Sequence, residues 1–364
     1  MLGSGGRTQY ISSPVSIGVT QPLFRYNSLK WQKKTEPVRY EQAKKTYISD
    51  IESVHSLAVD NFFRLALAQI NQEIAEMNYF NTDTLYRIAQ GRYNLGTIAE
   101  DELLQLELSF LNAGTARNEA AITLRDRELK LRSFLGYNEN VRLELEIPLE
   151  VPELRVEVGK VIELALENNP TILQQKLTLL QAESSVAQAK AEMGVNANLS
   201  LSYGLRQQSA LLPDVYRDPS NQQRVRLSLT MPIVDWGLSR GRYRMAQSSQ
   251  ELSQVQVAQA LTDFEQNIIL DVEQFNLQND QVRIAAKSDE VAARRYEVTK
   301  QRFLIGRIDV LELNDADTRK DQNRRAYVQA IQNYWSFFYN MRSLTLYDFQ
   351  NDKLLDADFE KLIR

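Results

Sequence analysis

The chain has 364 residues, and its 43 Lys and Arg against 47 Asp and Glu leave a net charge of −4 and a pI near 5.4. That balance argues against nucleic acid or anionic lipid held by bulk positive charge. Cysteine is absent and His55 is the only histidine, which excludes disulfide and thiolate chemistry and argues against His-based metal clusters and catalytic triads.

With only 14 Gly and 9 Pro, the chain is punctuated for a few long elements, and no apolar run approaches the 18 residues of a transmembrane helix. A β-like segment at 15–24 comes first. A stretch at 38–92, with Pro37 beside its start, then reads as one long helix, and a turn at 93–97 holds Gly96. A second helix runs over 98–134. Residues 138–157, with Pro148 and Pro152, read as an extended connection, and a helix over 158–194 is interrupted or bent near Asn168-Asn169-Pro170. Strands at 199–206 and 224–233 flank a polar loop at 207–222. A proline-free stretch at 238–303, a turn at 303–307 around Gly306 and a helix at 309–345 complete the order. Apolar residues such as Val255, Ala258, Leu261, Ile268 and Val272 recur at three- and four-residue steps, the pattern of a helix packed on other helices. His55 reads as a surface or packing residue.

Sliding the chain on itself by 210 residues aligns about 15–135 with the second half without a gap. Thr20 and Pro22 fall on Thr230 and Pro232, Tyr86 on Tyr296, Arg92 and Gly96 on Arg302 and Gly306, Glu102-Leu103 on Glu312-Leu313, and Arg132-Ser133 on Arg342-Ser343. One long period in two copies describes pseudo-symmetric halves, not a solenoid of short units. Each copy is a long helical hairpin hung from a strand. The expected division is 1–136 for the first, incomplete repeat, 137–195 for the connection and helix, 196–348 for the second repeat with a β-hairpin at 197–233, and 349–364 for a tail.

The two central strands alternate with period two. Leu199, Leu201, Tyr203 and Leu205 oppose Ser200, Ser202, Gly204 and Arg206, and Val225, Leu227, Leu229, Met231 and Ile233 oppose Arg224, Arg226, Ser228, Thr230 and Pro232. Such a hairpin suits either a soluble sheet packed on a helix or a membrane barrel. Strand lengths near the ~9–11 residues of a tilted spanning strand favour the barrel. So do the aromatics Tyr203, Tyr216, Trp236, Phe24, Tyr26 and Trp31 near strand ends. Proline at 22 and 232 marks the exit from strand into helix.

The sequence is similar to the TolC-like family of outer-membrane efflux channels. The resemblance rests on Gln-Pro-Leu-Phe at 21–24, Leu-Thr-Met-Pro-Ile-Val-Asp-Trp-Gly at 229–237, Ala-Leu-Glu-Asn-Asn-Pro-Thr-Ile at 165–172 and Gln-Arg-Phe-Leu-Ile-Gly-Arg-Ile-Asp-Val-Leu-Glu at 301–312. It implies a mainly α fold with a small β part: a homotrimer whose long hairpins form a periplasmic α-barrel and whose strands form a 12-stranded barrel in the outer membrane of a Gram-negative bacterium. It implies a passive conduit of a tripartite efflux or type I secretion system, partnered by a periplasmic adaptor and an inner-membrane pump, with no enzyme activity and no cofactor. The competing reading is a soluble periplasmic coiled-coil adaptor or scaffold. Where the family has a proline before its third strand this chain has Met193-Gly194-Val195, which leaves Gly194 as a hinge candidate.

Site expectations follow from the same resemblance. Asp309 and Glu312 match the acidic positions of the family's tip, Glu102 is the first-copy equivalent of Glu312, and three-fold symmetry would set such carboxylates in rings that attract cations at a constriction. Asp309 is equally placed to cap the returning helix. Arg307 is expected to tie the tip to Glu100, Asp101 and Glu102. Arg92, Tyr93, Gly96, Thr97, Arg302, Phe303, Gly306 and Arg307 form the expected adaptor-binding tips. Leu199, Leu201, Tyr203, Leu205, Val225, Leu227, Leu229 and Met231 form the expected lipid face, with Arg206, Arg224 and Arg226 on the lumen side. The first repeat lacks a copy of 158–206, so a missing N-terminal segment of about 52 residues and a signal peptide ahead of it are expected.

Overall fold

The computed structural model describes residues 9–137, 143–231 and 233–359, so Pro232 lies outside the described residues. In chain order the elements are β1 (Tyr10–Ser12), β2 (Ser16–Pro22), α1 (Ser28–Asn94), α2 (Glu100–Leu135), α3 (Val158–Asn168), α4 (Pro170–Glu192), β3 (Asn196–Ser209), β4 (Ser220–Thr230), α5 (Leu238–Leu304), α6 (Val310–Thr345), β5 (Tyr347–Asp348) and β6 (Lys353–Leu354). The repeat is reproduced residue for residue. Helices α1 and α5 have 67 residues each, α2 and α6 have 36 each, and every boundary of one copy falls 210 positions from its mate. At 1.5 Å per residue the longer helices are about 100 Å long.

The first long helix starts at Ser28, ten residues before the expected 38, and Pro37 lies inside it. Proline has a helical φ, but inside the helix it removes its own donor to the Lys33 carbonyl and its ring crowds that carbonyl. The helix begins where Asn27 Oδ1 accepts from the Lys30 amide at 3.0 Å, a side-chain cap that outweighs the proline as a start signal. Of the two alternatives at 168–170, an interruption is what the structure has: Asn169 sits between α3 and α4 at φ −67°, ψ 130°, and its Oδ1 accepts from the Thr171 amide at 2.9 Å.

The chain forms two compact units that cut across the sequence repeats, Met1–Gln42 with Leu173–Thr262, and Ala43–Ile172 with Asp263–Arg364. The first unit holds the sheet, in which β3 is central, pairing antiparallel with β1 and β2 on one side and β4 on the other. Strands β3 and β4 span 14 and 11 residues, because much of the expected polar loop is itself paired, Gln207 with Ser12 and Arg206 with Ser220. The pairs Ser12–Gln207 and Ser16–Gly204 put one extra residue on the β1–β2 side, a bulge. At that bulge a Cβ on Gly204 would lie 2.6 Å from the Val15 carbonyl oxygen, so only glycine fits. Gly194 lies in the turn between α4 and β3.

The second unit is helical. Its core joins Phe63, Ile70 and Ile74 of α1, Ile268, Val272 and Phe275 of α5, Val328, Ile331, Tyr334, Phe338 and Met341 of α6, and Val161 and Ala165 of α3. Among the described residues, 143–157 of the extended connection have no strand partner, so side chains satisfy their backbone. Asn276 brackets Val156, accepting from its amide at 3.0 Å and donating to its carbonyl at 2.9 Å, while Asn279 donates to the Leu154 carbonyl and Tyr334 to that of Pro152. Residues expected as a plain tail include half of a small hairpin, β5–β6, which Asp348 organises by accepting from the amides of Gln350 and Asn351.

Candidate functional site

The two hairpin tips are built alike. Gly96 and Gly306 hold φ of 70° and 72°, the left-handed conformation that closes a helix. The amides of Gly96 and Thr97 donate to the carbonyls of Tyr93 and Arg92 at 2.9 Å, and those of Gly306 and Arg307 donate to Phe303 and Arg302 at 2.9 Å. The glycines are thus required by the backbone, and the residues around them are displayed by a rigid turn.

Between the tips lies a cleft of about 370 Å³ that brings together Arg92, Thr97, Glu102, Phe303, Gly306, Arg307 and Asp309. Arg92 spans it: its Nη2 donates to the Leu304 carbonyl at 2.9 Å and its guanidinium lies 5.7 Å from the Phe303 ring centre. Arg302 and Glu312 line a separate groove of about 570 Å³ with Val291, Arg294 and Val298. Tyr93 lines neither and is exposed. Phe303, expected among the contact residues of the tip, is buried in a cluster with Ala89, Leu106, Tyr296, Val310 and Leu313, so it holds the tip from within.

Asp309 caps α6: its side chain accepts from the Glu312 amide at 2.9 Å. Its first-copy mate Ala99 has no side-chain cap, and α2 instead opens on three acids, Glu100, Asp101 and Glu102, which favour the positive helix start. The expected tie from Arg307 to those acids is not made within the chain, since among the described residues no carboxylate lies within ion-pair distance of the exposed Arg307. Behind the tips, Lys320 serves two carboxylates, 2.6 Å from Asp317 and 3.3 Å from Asp321, with its ammonium 4.1 Å from the Tyr296 ring centre. Burial holds the Asp317 carboxyl above the usual carboxylate range despite the Lys320 hydrogen bond. Burial, then the neighbouring acids, raises the Tyr296 hydroxyl.

The sheet carries the other candidate surface. Register puts Ile17 and Val19 of β2, Leu199, Leu201 and Tyr203 of β3, and Val225, Leu227 and Leu229 of β4 on one face. All but Leu199 are exposed, as is Met231 just beyond β4; Leu199 and Leu205 are half-buried. Arg226 and Arg224 pair with Ser200 and Ser202 on the opposite face, and Arg206 pairs with Ser220 there.

Sequence reasoning missed a buried charge node in the helical unit. Arg342 of α6 holds Glu52 of α1 through two bonds of 2.8 and 3.0 Å and Asp348 of β5 at 2.9 Å. His55 lies beside it, its Nδ1 3.3 Å from Glu52 and its ring near Tyr339. Burial disfavours the Asp348 charge, but bonds from the Asn351 side chain and backbone and the charge of Arg342 prevail, so its carboxyl stays below the usual range.

Paired long hairpins with matched tips, joined in one chain to strands bearing an exposed apolar face, define a channel-type architecture. The sequence profile of the outer membrane efflux protein family matches residues 3–137 and 161–344, and the chain belongs to that family, a family of channels and not an enzyme class. The fold is similar to that of the channel protein CusC, with 15% identity, 93% of this chain and 83% of that one covered, and a TM-score of 0.73. It is similar also to the CmeC outer membrane channel of Campylobacter jejuni, at 16% identity, 98% and 80% coverage and 0.72. A third likeness is to the outer membrane protein VceC of Vibrio cholerae, at 13%, 93% and 87%, and 0.67. No curated protein sequence is similar enough to add a relative.

Proposed function

We propose that this chain is the outer-membrane subunit of a tripartite efflux or type I secretion system, a homotrimeric passive conduit that receives its substrate from an inner-membrane pump through a periplasmic adaptor. The observation that carries this reading is the exposed apolar face across β2, β3 and β4. In water so large a patch is a liability, whereas against lipid it is the required surface. Strands β2 and β4 are unpaired on their outer edges among the described residues, and lipid tolerates no open edge, so closure into a barrel with strands of further copies follows. Arg206, Arg224 and Arg226 then face the lumen. The turns at 92–97 and 302–307 meet the adaptor, and Asp309, Glu312 and Glu102 form acidic rings where the tips converge. Since among the described residues no carboxylate lies within ion-pair distance of the Arg307 side chain, any closing tie it makes is to another copy.

Reconstitution tests this. The protein is expected to extract only with detergent, to run as a heat-modifiable trimer and to conduct cations preferentially in planar bilayers. Thiol crosslinking from Thr97→Cys and Arg307→Cys is expected to capture the adaptor. A monomer that stays soluble without detergent refutes the channel and favours a periplasmic scaffold.

A further inference from the structure

The net charge of −4 hides a segregation. The first compact unit, Met1–Gln42 with Leu173–Thr262, holds 15 Lys and Arg against 8 Asp and Glu, and the second holds the other 28 against 39. A chain that is acidic as a whole therefore carries its sheet on a basic unit, and charge gathered on one part marks where an anionic partner meets it.

Within that unit the cations gather where strand gives way to helix. After β4 the chain runs through the exposed Ile233, Val234, Trp236 and Leu238 into Arg240, Arg242 and Arg244, all exposed. After β2 it runs through the exposed Leu23 and Phe24 into Lys30, Lys33 and Lys34. The 210-residue offset lays Arg240 on Lys30, Arg244 on Lys34 and Trp236 on Tyr26. Both copies thus set an aromatic four residues ahead of a cation, with a second cation one turn further on. Among the described residues no carboxylate lies within ion-pair distance of any of these six cations. Trp236 is 96% exposed and holds φ 53°, a left-handed conformation that bulky side chains rarely take, so the backbone bears strain to present this indole.

The arginines have a shaped setting. Arg240 and Arg244 line a cleft of about 510 Å³ with Met193, Ser239, Tyr243 and Gln247, beside the turn from α4 to β3. The one carboxylate that lines it, Asp235, is already engaged: its Oδ1 accepts from the Gly237 amide at 3.0 Å and its Oδ2 from the Ser239 amide at 2.9 Å. Asp235 closes the start of α5, so what stays open in the cleft is the pair of guanidinium groups beyond that start. They stand about 6 Å apart along the axis, a spacing at which both reach the oxygens of one phosphate.

Apolar strand, then aromatic, then cation is the order of groups met on passing from acyl chains to headgroups. An acidic protein would satisfy the arginines and leave the apolar residues beside them in water; a lipid satisfies both. On the outer-membrane reading above, the helices mark the periplasmic end of the sheet, so the leaflet met there is the inner one. Resting on that reading, we propose that Arg240 and Arg244, flanked by Trp236, bind the phosphodiester headgroup of an anionic glycerophospholipid of the inner leaflet. Lys30 and Lys34 repeat the pair as point charges.

Trp236 reports its own lipid neighbours. The full-length chain carrying Trp31→Phe and Trp335→Phe keeps it as the sole tryptophan and is reconstituted in phosphatidylcholine bilayers. Brominated phosphatidylglycerol is expected to quench its fluorescence at a several-fold lower mole fraction than brominated phosphatidylethanolamine. Arg240→Gln with Arg244→Gln should erase that preference, by about fivefold for each cation removed, while Arg240→Lys with Arg244→Lys retains part of it. Excess inorganic phosphate should leave the preference in place; its loss there assigns the cleft to a free anion and overturns the lipid. Equal quenching by the two lipids, quenching by neither, or a preference that survives Arg240→Gln with Arg244→Gln overturns the headgroup site and leaves the channel standing. A chain that stays in solution without detergent overturns both.

Discussion

Replacing Arg342 by methionine removes the cation between two carboxylates that are almost wholly buried, Glu52 and Asp348 at 3% and 4% exposure. Three charge-assisted bonds are lost, and methionine keeps much of the aliphatic stem packed beside Phe338 and Tyr339. The dominant cost is then the orphaned charge, for which breaking a buried pair gives about 3–5 kcal/mol. Asp348 can recover part of this through Asn351 and the backbone, while Glu52 keeps the half-exposed His55, so the lower half of that range is expected. Thermal unfolding of the detergent-solubilised chain, followed by circular dichroism, measures the loss. Limited proteolysis reports whether β5–β6 is released first. The double variant Arg342→Met with Glu52→Leu should recover at least half of the deficit, because no unpaired charge then remains between α1 and α6. A deficit under 1 kcal/mol for Arg342→Met, or a double variant worse than the single, refutes the reasoning.

Asp348→Asn tests the same node by pH. The Asp348 carboxyl is held below its unfolded value, so its stabilisation is present above about pH 4 and disappears as pH falls through the native pKa; wild type and variant should converge in acid melts and diverge at pH 7. Removing the α6 cap with Asp309→Ala should cost about 0.5–2 kcal/mol, and Ala99→Asp should stabilise α2 by a similar amount, both read from Tm. Gly96→Ala and Gly306→Ala meet open space but a left-handed backbone, so each should cost about 1–2 kcal/mol despite the absence of any clash. On the sheet, Leu227→Arg should lower barrel stability in lipid by about 2–4 kcal/mol while Arg226→Leu is tolerated, as measured by urea unfolding in vesicles.

The elements that sequence displayed best were those governed by period and punctuation. Matched helix pairs, the glycine turns at 96 and 306, and the alternating strands follow from local residues and from one offset. Where two local signals competed, the reading slipped. Pro37 stands beside the expected start, yet the helix begins at Ser28 behind the Asn27 cap and runs through the proline, whose cost is one lost bond and one crowded carbonyl within a 67-residue element. Phe303 looked like a displayed aromatic until the packing around Tyr296 and Val310 enclosed it. The Arg342 node was invisible for a different reason. Glu52 and Arg342 stand 290 positions apart, and no composition or spacing rule joins residues that only tertiary packing brings together.

The equality of the two copies has a consequence for how such a chain can change length. One residue inserted into α1 would advance its tip by 1.5 Å and turn it by about 100°, swinging Arg92 away from the Leu304 carbonyl it now holds. A lone insertion therefore damages a machine whose two tips must finish level. Chains of this design should grow or shrink by near-heptad steps taken in α1, α2, α5 and α6 together, and a relative with unequal hairpins should show a compensating bulge inside the longer helix.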